Sequence, residues 1–256
     1  MKWYLLFFIA VFALFIGCSK ETNSPDDTGT LKVYLTDAPA EFGAVNITFS
    51  EISAHLNNQW LTVKGDTVTV DLMQWNNGNS IVLGEAELPA GHYTQIRLMI
   101  IAAEVVVDGQ PIPLTVPSGL QTGLKMGPEF TLDAGSTYEL VIDFDVARSI
   151  VVTGPKHDPN SYKLKPYLRC VPKATSGSIS ATVTNPEHLP VAYALQNTDT
   201  ITSTVVDTSN GYFQLSFLPE GNYRVFVRDT LEQSFTQDDV PVAIGENNDL
   251  GQITLQ

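Results

Sequence analysis

Leu88-Pro89-Ala90-Gly91-His92-Tyr93, running into the apolar stretch Ile96 to Ala102, decides the fold of this 256-residue chain. Pro89 presets its own φ for a tight turn, and Gly91 fits the fourth place of a type I turn. Tyr93 then opens a strand, with a ring to bury and a hydroxyl to satisfy. The device recurs as Leu218-Pro219-Glu220-Gly221-Asn222-Tyr223 ahead of Val225 and Val227. A looser copy is Leu132-Asp133-Ala134-Gly135-Ser136-Thr137-Tyr138, ahead of Leu140 to Phe144. Leucine, turn, glycine, tyrosine, strand is the grammar of an antiparallel β protein. It is not a catalytic motif.

Outward from that stretch the alternation continues. Leu31, Val33 and Leu35 alternate with Lys32, Tyr34 and Thr36, a half-buried strand closed by Asp37-Ala38-Pro39. Val45, Ile47 and Phe49 alternate, and the apolar phase then shifts to Ile52, Ala54 and Leu56, which predicts a bulge near Ser50 or Glu51. Trp60 to Val63 and Thr67 to Leu72 read as a hairpin about Gly65-Asp66, and Asn76 to Ser80 as a loop. Val105 to Val107 and Ile112 to Leu114 flank Asp108-Gly109, a strong hairpin signal. Pro111 and Pro113 put the second arm at a sheet edge. Tyr138 to Asp145 and Tyr162 to Cys170 are the last strands before a polar joint, Lys173 to Ser176. No helical period lasts more than two turns.

Composition narrows the function. The chain carries 28 acidic and 14 basic residues, a formal charge of −14, so nucleic acid and direct attraction to anionic lipid are poor partners. Two cysteines make no disulfide framework. At the N-terminus, Lys2 precedes an apolar run from Trp3 to Ile16. That run is short for a membrane span of roughly 20 residues and has the layout of a secretory signal. It ends in Phe15-Ile16-Gly17-Cys18, which resembles the bacterial lipobox, although Phe15 replaces the usual leucine. The resemblance implies a signal peptide over 1–17, acylation of Cys18 and a lipid anchor in the membrane. Ser19 is not the aspartate of inner-membrane retention signals, and this favours the outer membrane. Residues 18–29 are polar and read as the lipidated tether.

Five separated motifs carry a second resemblance. Thr36-Asp37-Ala38-Pro39, Leu88 to Tyr93 with Gln95-Ile96-Arg97-Leu98, Val116-Pro117-Ser118, Ile142-Asp143-Phe144-Asp145 and Tyr162-Lys163-Leu164-Lys165-Pro166 occur in one order. Residues 30–172 thereby resemble the bacterial lipoprotein family called domain of unknown function 4382, which implies a β-sandwich and no activity. In residues 177–256, Asp207, Gly211, Phe213, Leu218, Pro219, Gly221 and Tyr223 carry a pattern similar to the carboxypeptidase regulatory-like domain, a small transthyretin-like sandwich. Ala181 stands where a second glycine is common in that domain. The expected architecture is all-β: two antiparallel β-sandwich domains in tandem after a lipoprotein signal peptide.

Candidate chemistry is sparse. Asp143 and Asp145 lie two apart in a strand and so share one face, where with Asp37 they are a candidate Ca²⁺ site. The simpler alternative is a solvated face, or carboxylates bonded to Lys163, Lys165 or loop amides. No other cofactor is expected. His55, His92, His157 and His188 show no paired metal-ligand spacing, and Cys170 reads as a structural thiol in an apolar strand. Trp60 and Trp75 are candidates for stacking on sugar rings; capping the ends of the core is the alternative. The sequence therefore predicts a non-catalytic envelope lipoprotein that displays a binding or assembly surface. A polysaccharide-binding accessory lipoprotein, with Trp60, Trp75 and the Asn76 to Ser80 loop as its platform, is the alternative, and a metal-dependent hydrolase, needing a cleft where Asp37, Asp143, Asp145 or a histidine converge, comes third.

Overall fold

Two apolar cores form along the chain, one within residues 31–164 and one within residues 179–255. The computed structural model describes residues 27–38, 42–155 and 158–256. Cys18, the signal segment, most of the tether and His157 lie outside the described residues.

The first core is closed by two sheets. One has the order β14-β11-β1-β5, from β1 (Thr28–Ala38), β5 (Ile81–Pro89), β11 (Thr137–Asp145) and β14 (Leu168–Pro172). The other is built on β2 (Ala44–Leu56) and β7 (Gln95–Val107). Beside β2 lie β3 (Gln59–Lys64) and β4 (Val68–Asp71); beside β7 lie β8 (Gln110–Pro113) and β9 (Leu124–Met126). Two short pairs seal the ends: β6 (Gly91–Tyr93) with β10 (Phe130–Leu132), and β12 (Ile150–Val152) with β13 (Tyr162–Leu164). Successive side chains of a strand point to opposite faces. Leu31, Val33 and Leu35 are therefore fully buried while Lys32 and Tyr34 between them are not. Each such apolar side chain contributes about 1.5–3 kcal/mol of burial.

The second core lies between a three-stranded and a four-stranded sheet. The first holds β15 (Ser176–Val183), β18 (Tyr212–Pro219) and β21 (Asn247–Ile253), in the order β18-β15-β21. The second holds β16 (Val191–Gln196), β17 (Asp199–Val205), β19 (Gly221–Arg228) and β20 (Ser234–Val242), in the order β17-β16-β19-β20. Neither sandwich is purely antiparallel. β1 runs parallel to β11, and β15 parallel to β21, while the other neighbour of each of these central strands is antiparallel.

The repeated leucine-proline-glycine-tyrosine stretch is the place where the chain changes sheets. β5 ends at Pro89 in one sheet, Gly91 opens β6, and the chain continues as β7 in the facing sheet. β18 and β19 repeat the step about Pro219 and Gly221. Gly91 and Gly221 have φ of 153° and 155°, a region open to glycine. Tyr93 is fully buried, and its hydroxyl donates back to Pro89 O at 2.7 Å. Tyr223 does the same to Pro219 O at 2.8 Å. The looser third copy is an ordinary loop before β11, and its Tyr138 ring stacks on Phe130 at 4.4 Å.

The hairpin at Asp108-Gly109 forms with φ of 49° and 75°, and β8 sits at the sheet edge as its prolines require. The bulge falls between Thr48 and Glu51. Three expectations differ. β3 and β4 do not pair as a hairpin; they lie end to end along the same side of β2, whose 13 residues have room for both. The strand expected over Tyr162 to Cys170 is cut at Pro166, which lacks the N–H to continue a ladder. Thr28 and Gly29, read as tether, are strand residues opposite Pro89 and Leu88. No helix among the described residues is long and apolar enough to cross a membrane.

Candidate functional site

The end of β1 carries Thr36 and Asp37, each 5% exposed. Beside them on β11 lie Asp143 and Asp145, each 4% exposed. Neither aspartate sits on a solvated face, because the second sandwich covers this side of the sheet. Their partners are arginines rather than Lys163 or Lys165. Arg169, opposite Asp143 on β14, places Nη2 at 2.6 Å and Nε at 3.2 Å from Asp143 Oδ2. Arg148 binds Asp145 through its backbone N–H, at 2.8 Å from Oδ1, and through Nε on Oδ2. Both Asp145 oxygens are thus engaged in holding the short turn that starts at Val146.

Asp37 is left differently. Its Oδ1 accepts from the Val146 N–H at 3.2 Å, while Oδ2 has no hydrogen-bond partner among the described residues. Burial, and next the negative charge of Asp143, hold the Asp37 carboxyl well above the usual carboxylate range; the Val146 N–H opposes them. Asp145 is also raised, mainly by burial, with the contacts from Arg148 working against the shift.

The same residues bind the two sandwiches together. From the second sandwich, Thr202 Oγ1 donates to Asp143 Oδ2 at 3.0 Å. Arg169 donates to the carbonyls of Phe217 and Ser216. Arg148 Nη1 donates to Thr200 O at 3.1 Å. A second clamp is Asn77, in the loop after β4. Its Nδ2 donates to Val205 O at 3.0 Å, and its Oδ1 accepts from Thr204 Oγ1 at 2.9 Å and from the Gln214 N–H at 3.1 Å. The loop is itself pinned to β1, since Thr36 Oγ1 donates to the carbonyls of Trp75 and Asn79.

The sequence marks the loop that holds Asn77 as part of a sugar-binding platform, but neither Asn77 nor Arg169 as a residue that docks the two sandwiches. Asn77 has φ of 51°, for which Asn-Asn-Gly is a turn signal but not a docking signal. Arg169 interrupts an otherwise apolar strand, Leu168 to Val171, and that interruption is the one hint the sequence holds.

The other candidates are scattered. Trp75 is half-buried against the first core, and its carbonyl accepts from the Asp37 N–H at 2.8 Å. Trp60 lies at the far edge of β3, with Arg97 4.5 Å and Lys125 5.6 Å from its ring centroid and His55 tilted against it. The two tryptophans make no common platform. His55 binds Thr94, His92 pairs with Glu129 at the surface, and His188 is exposed. Burial pushes the Cys170 thiol up to about 12, although the residue as a whole remains partly exposed. Among the described residues, no group of three His, Cys, Asp or Glu side chains is placed to hold a metal ion.

A sizeable cleft runs along the seam. It holds about 510 Å³ and is lined by Asn76, Asn79, Asp207, Thr208, Leu189 and Tyr212 among others. Its lining is mainly amide, hydroxyl and carboxylate, with one exposed aromatic ring.

Residues 28–166, more than half of the chain, match the family described as "Domain of unknown function (DUF4382)". No curated protein matches the chain. Among solved structures, the Bacillus anthracis TIE protein is 12% identical, with a TM-score of 0.24, over 90% of this chain and 51% of its own. The major pilin subunit of Bacillus cereus is 12% identical, with a TM-score of 0.23, over 90% of this chain and 70% of its own. A fimbrial protein from Bacteroides ovatus is 11% identical, with a TM-score of 0.25, over 90% of this chain and 50% of its own. This chain therefore spans about half the length of the first of these. Identities and TM-scores this low carry no conclusion about what this chain does.

Proposed function

Since the chain belongs to the family described as a domain of unknown function (DUF4382), whose name assigns no activity, we propose from the geometry that it is a non-catalytic module of the cell envelope. It is held by a lipid on Cys18 and displays a binding or assembly surface on two rigidly joined sandwiches. The observation that carries this reading is the use made of the polar side chains. Asp143, Asp145, Arg148, Arg169 and Asn77 spend their polar atoms on one another and on bonds that hold the two sandwiches together, even where Asn77, Arg148 and Arg169 also border clefts along the seam. Scaffolds of this kind present function on loops and edge strands, where the backbone is accessible and the frame stays fixed. The transthyretin-like character of residues 177–256 belongs to the same reading and supplies the outer of the two modules. The outer membrane is the expected address, on the strength of the residues around Cys18.

Metabolic labelling with a palmitate analogue, followed by envelope fractionation, tests the anchor. The wild-type chain is expected to label and to fractionate with the outer membrane. Cys18→Ala is expected to lose both. A labelled wild-type chain in the inner membrane would remove the address but not the anchor.

The seam cleft favours a second reading, capture of a polysaccharide. Tyr212 then takes the platform role first assigned to Trp60 and Trp75, flanked by Asn76, Asn79 and Asp207. A pull-down on insoluble and gel-embedded polysaccharides tests it. Saturable binding lost in Tyr212→Ala supports capture; no binding across the panel removes it.

A further inference from the structure

Beneath the seam, between the sandwiches, lies a second and much smaller cavity of about 10 Å³. That is space for about one water molecule or one small ion. Asp37 and Asp143 reach it from the first sandwich; Thr202, Ser203, Thr204 and Ser216 are among those that reach it from the second. Three buried oxygens around it have no hydrogen-bond partner among the described residues: Asp37 Oδ2, Asp143 Oδ1 and Ser216 Oγ. Both aspartates are at least nine-tenths buried. A buried carboxylate oxygen without a partner is costly, and several converging on one small space call for a shared ligand.

Charge points to the kind of ligand. Asp37, Asp143 and Asp145 bring three buried carboxyls into the seam. Arg169 answers Asp143 and Arg148 answers Asp145. Among the described residues no arginine or lysine pairs with Asp37, and Asp71 at the end of β4 adds to the negative field around it. The unpartnered atoms are all oxygens, from carboxylates and a hydroxyl, with no sulfur or imidazole among them. Hard cations choose such donors. We infer that the seam cavity binds a single hard cation, Na⁺ or Ca²⁺, between Asp37 Oδ2, Asp143 Oδ1 and Ser216 Oγ, and that this ion fastens the second sandwich to the first. The cation would complete its shell with the hydroxyls and carbonyls of the surrounding strands. Asp145 is left out of the ligand set because it does not line this cavity and holds Arg148 instead.

The test uses the full chain in detergent, treated with chelator and exchanged into a choline chloride buffer at pH 7.5. NaCl and CaCl₂ are added separately at constant ionic strength. Saturation about a hundredfold above the dissociation constant is expected to raise Tm by about 5–10 °C. The arm that responds at the lower concentration identifies the ion. Asp37→Asn keeps the size of the side chain and removes its charge, and it is expected to abolish the response. Ser216→Ala, which leaves every charge in place, is expected to move the response to at least threefold higher cation. Glu85→Gln, an acid removed from the outer edge of the sheet, is expected to change nothing. A wild-type Tm that neither ion moves overturns the site; a Tm that then falls as pH rises, flat in Asp37→Asn, makes a proton the counter-charge. A response that survives unchanged in both Asp37→Asn and Ser216→Ala places the ion elsewhere and also overturns it.

Discussion

The corners at Leu88–Tyr93 and Leu218–Tyr223 are built alike and used differently. In both, a glycine in a φ region open to it lets the chain pass from one sheet to the facing one. In both, a tyrosine hydroxyl ties the new strand to the proline carbonyl four residues back. The first corner is wholly internal: Tyr93 stacks on Phe130, with ring centroids 5.1 Å apart, inside the first core. The second also faces outward. Just ahead of it, Phe217 adopts a φ of 55°, and its carbonyl, with that of Ser216, accepts from Arg169 of the other sandwich. A corner pinned by its tyrosine holds neighbouring carbonyls still, so they can serve as a docking point at little further entropic cost.

Tyrosine removal separates the two uses most strongly. Tyr93→Ala and Tyr223→Ala should each cost about 3–5 kcal/mol, the usual range for deleting a buried aromatic ring. Hydrogen exchange should show Tyr93→Ala loosening the first sandwich alone. Tyr223→Ala should loosen the second and the seam as well, seen as faster hydrogen exchange at Thr202 and Thr204. Equal exchange in both variants would mean that the second corner has no docking role.

Arg169→Met comes next. It leaves Asp143 buried without its cation and should cost about 3 kcal/mol, the low end for a broken buried pair because the guanidinium is partly exposed. One unfolding transition should divide into two, and both corners should stay intact. Smaller again is Tyr→Phe at either corner, at about 1 kcal/mol for one lost hydrogen bond. The two losses should agree, since the two bonds have nearly the same length. The last test involves no mutation. With its thiol held at about 12, Cys170 should resist alkylation at pH 8 in the folded chain and react at an ordinary rate in denaturant. Rapid reaction in the folded state would show that β14, which also carries Arg169, opens readily.

Much of the fold could be read from local pattern. Leu31, Val33 and Leu35 alternate because one face of their strand is buried, and Asp108-Gly109 turns because both residues accept positive φ. The bulge near Ser50 could be read from a shift of apolar phase. The candidate site was legible only in part. Asp143 and Asp145 stand out as two acids on one face, but nothing local says that a second sandwich lies over that face. Trp60 and Trp75 look alike in sequence, yet one packs at the edge of β3 beneath two cations and the other against the core below the seam.

The sequence by itself determined most of the strands, the two leucine-proline-glycine-tyrosine turns and the division of apolar residues into two cores. These follow from interactions within a few residues and from a period of two. Only the tertiary structure decided which strands run parallel, that the two turns carry the chain between facing sheets, that Arg169 and Asn77 clamp the halves together, and that no arginine or lysine among the described residues pairs with the buried Asp37. Those outcomes depend on pairs as far apart as Asp143 and Thr202 or Asn77 and Thr204. Burial and neighbouring charge set what a carboxylate does, and both are properties of the packed surface rather than of the residue.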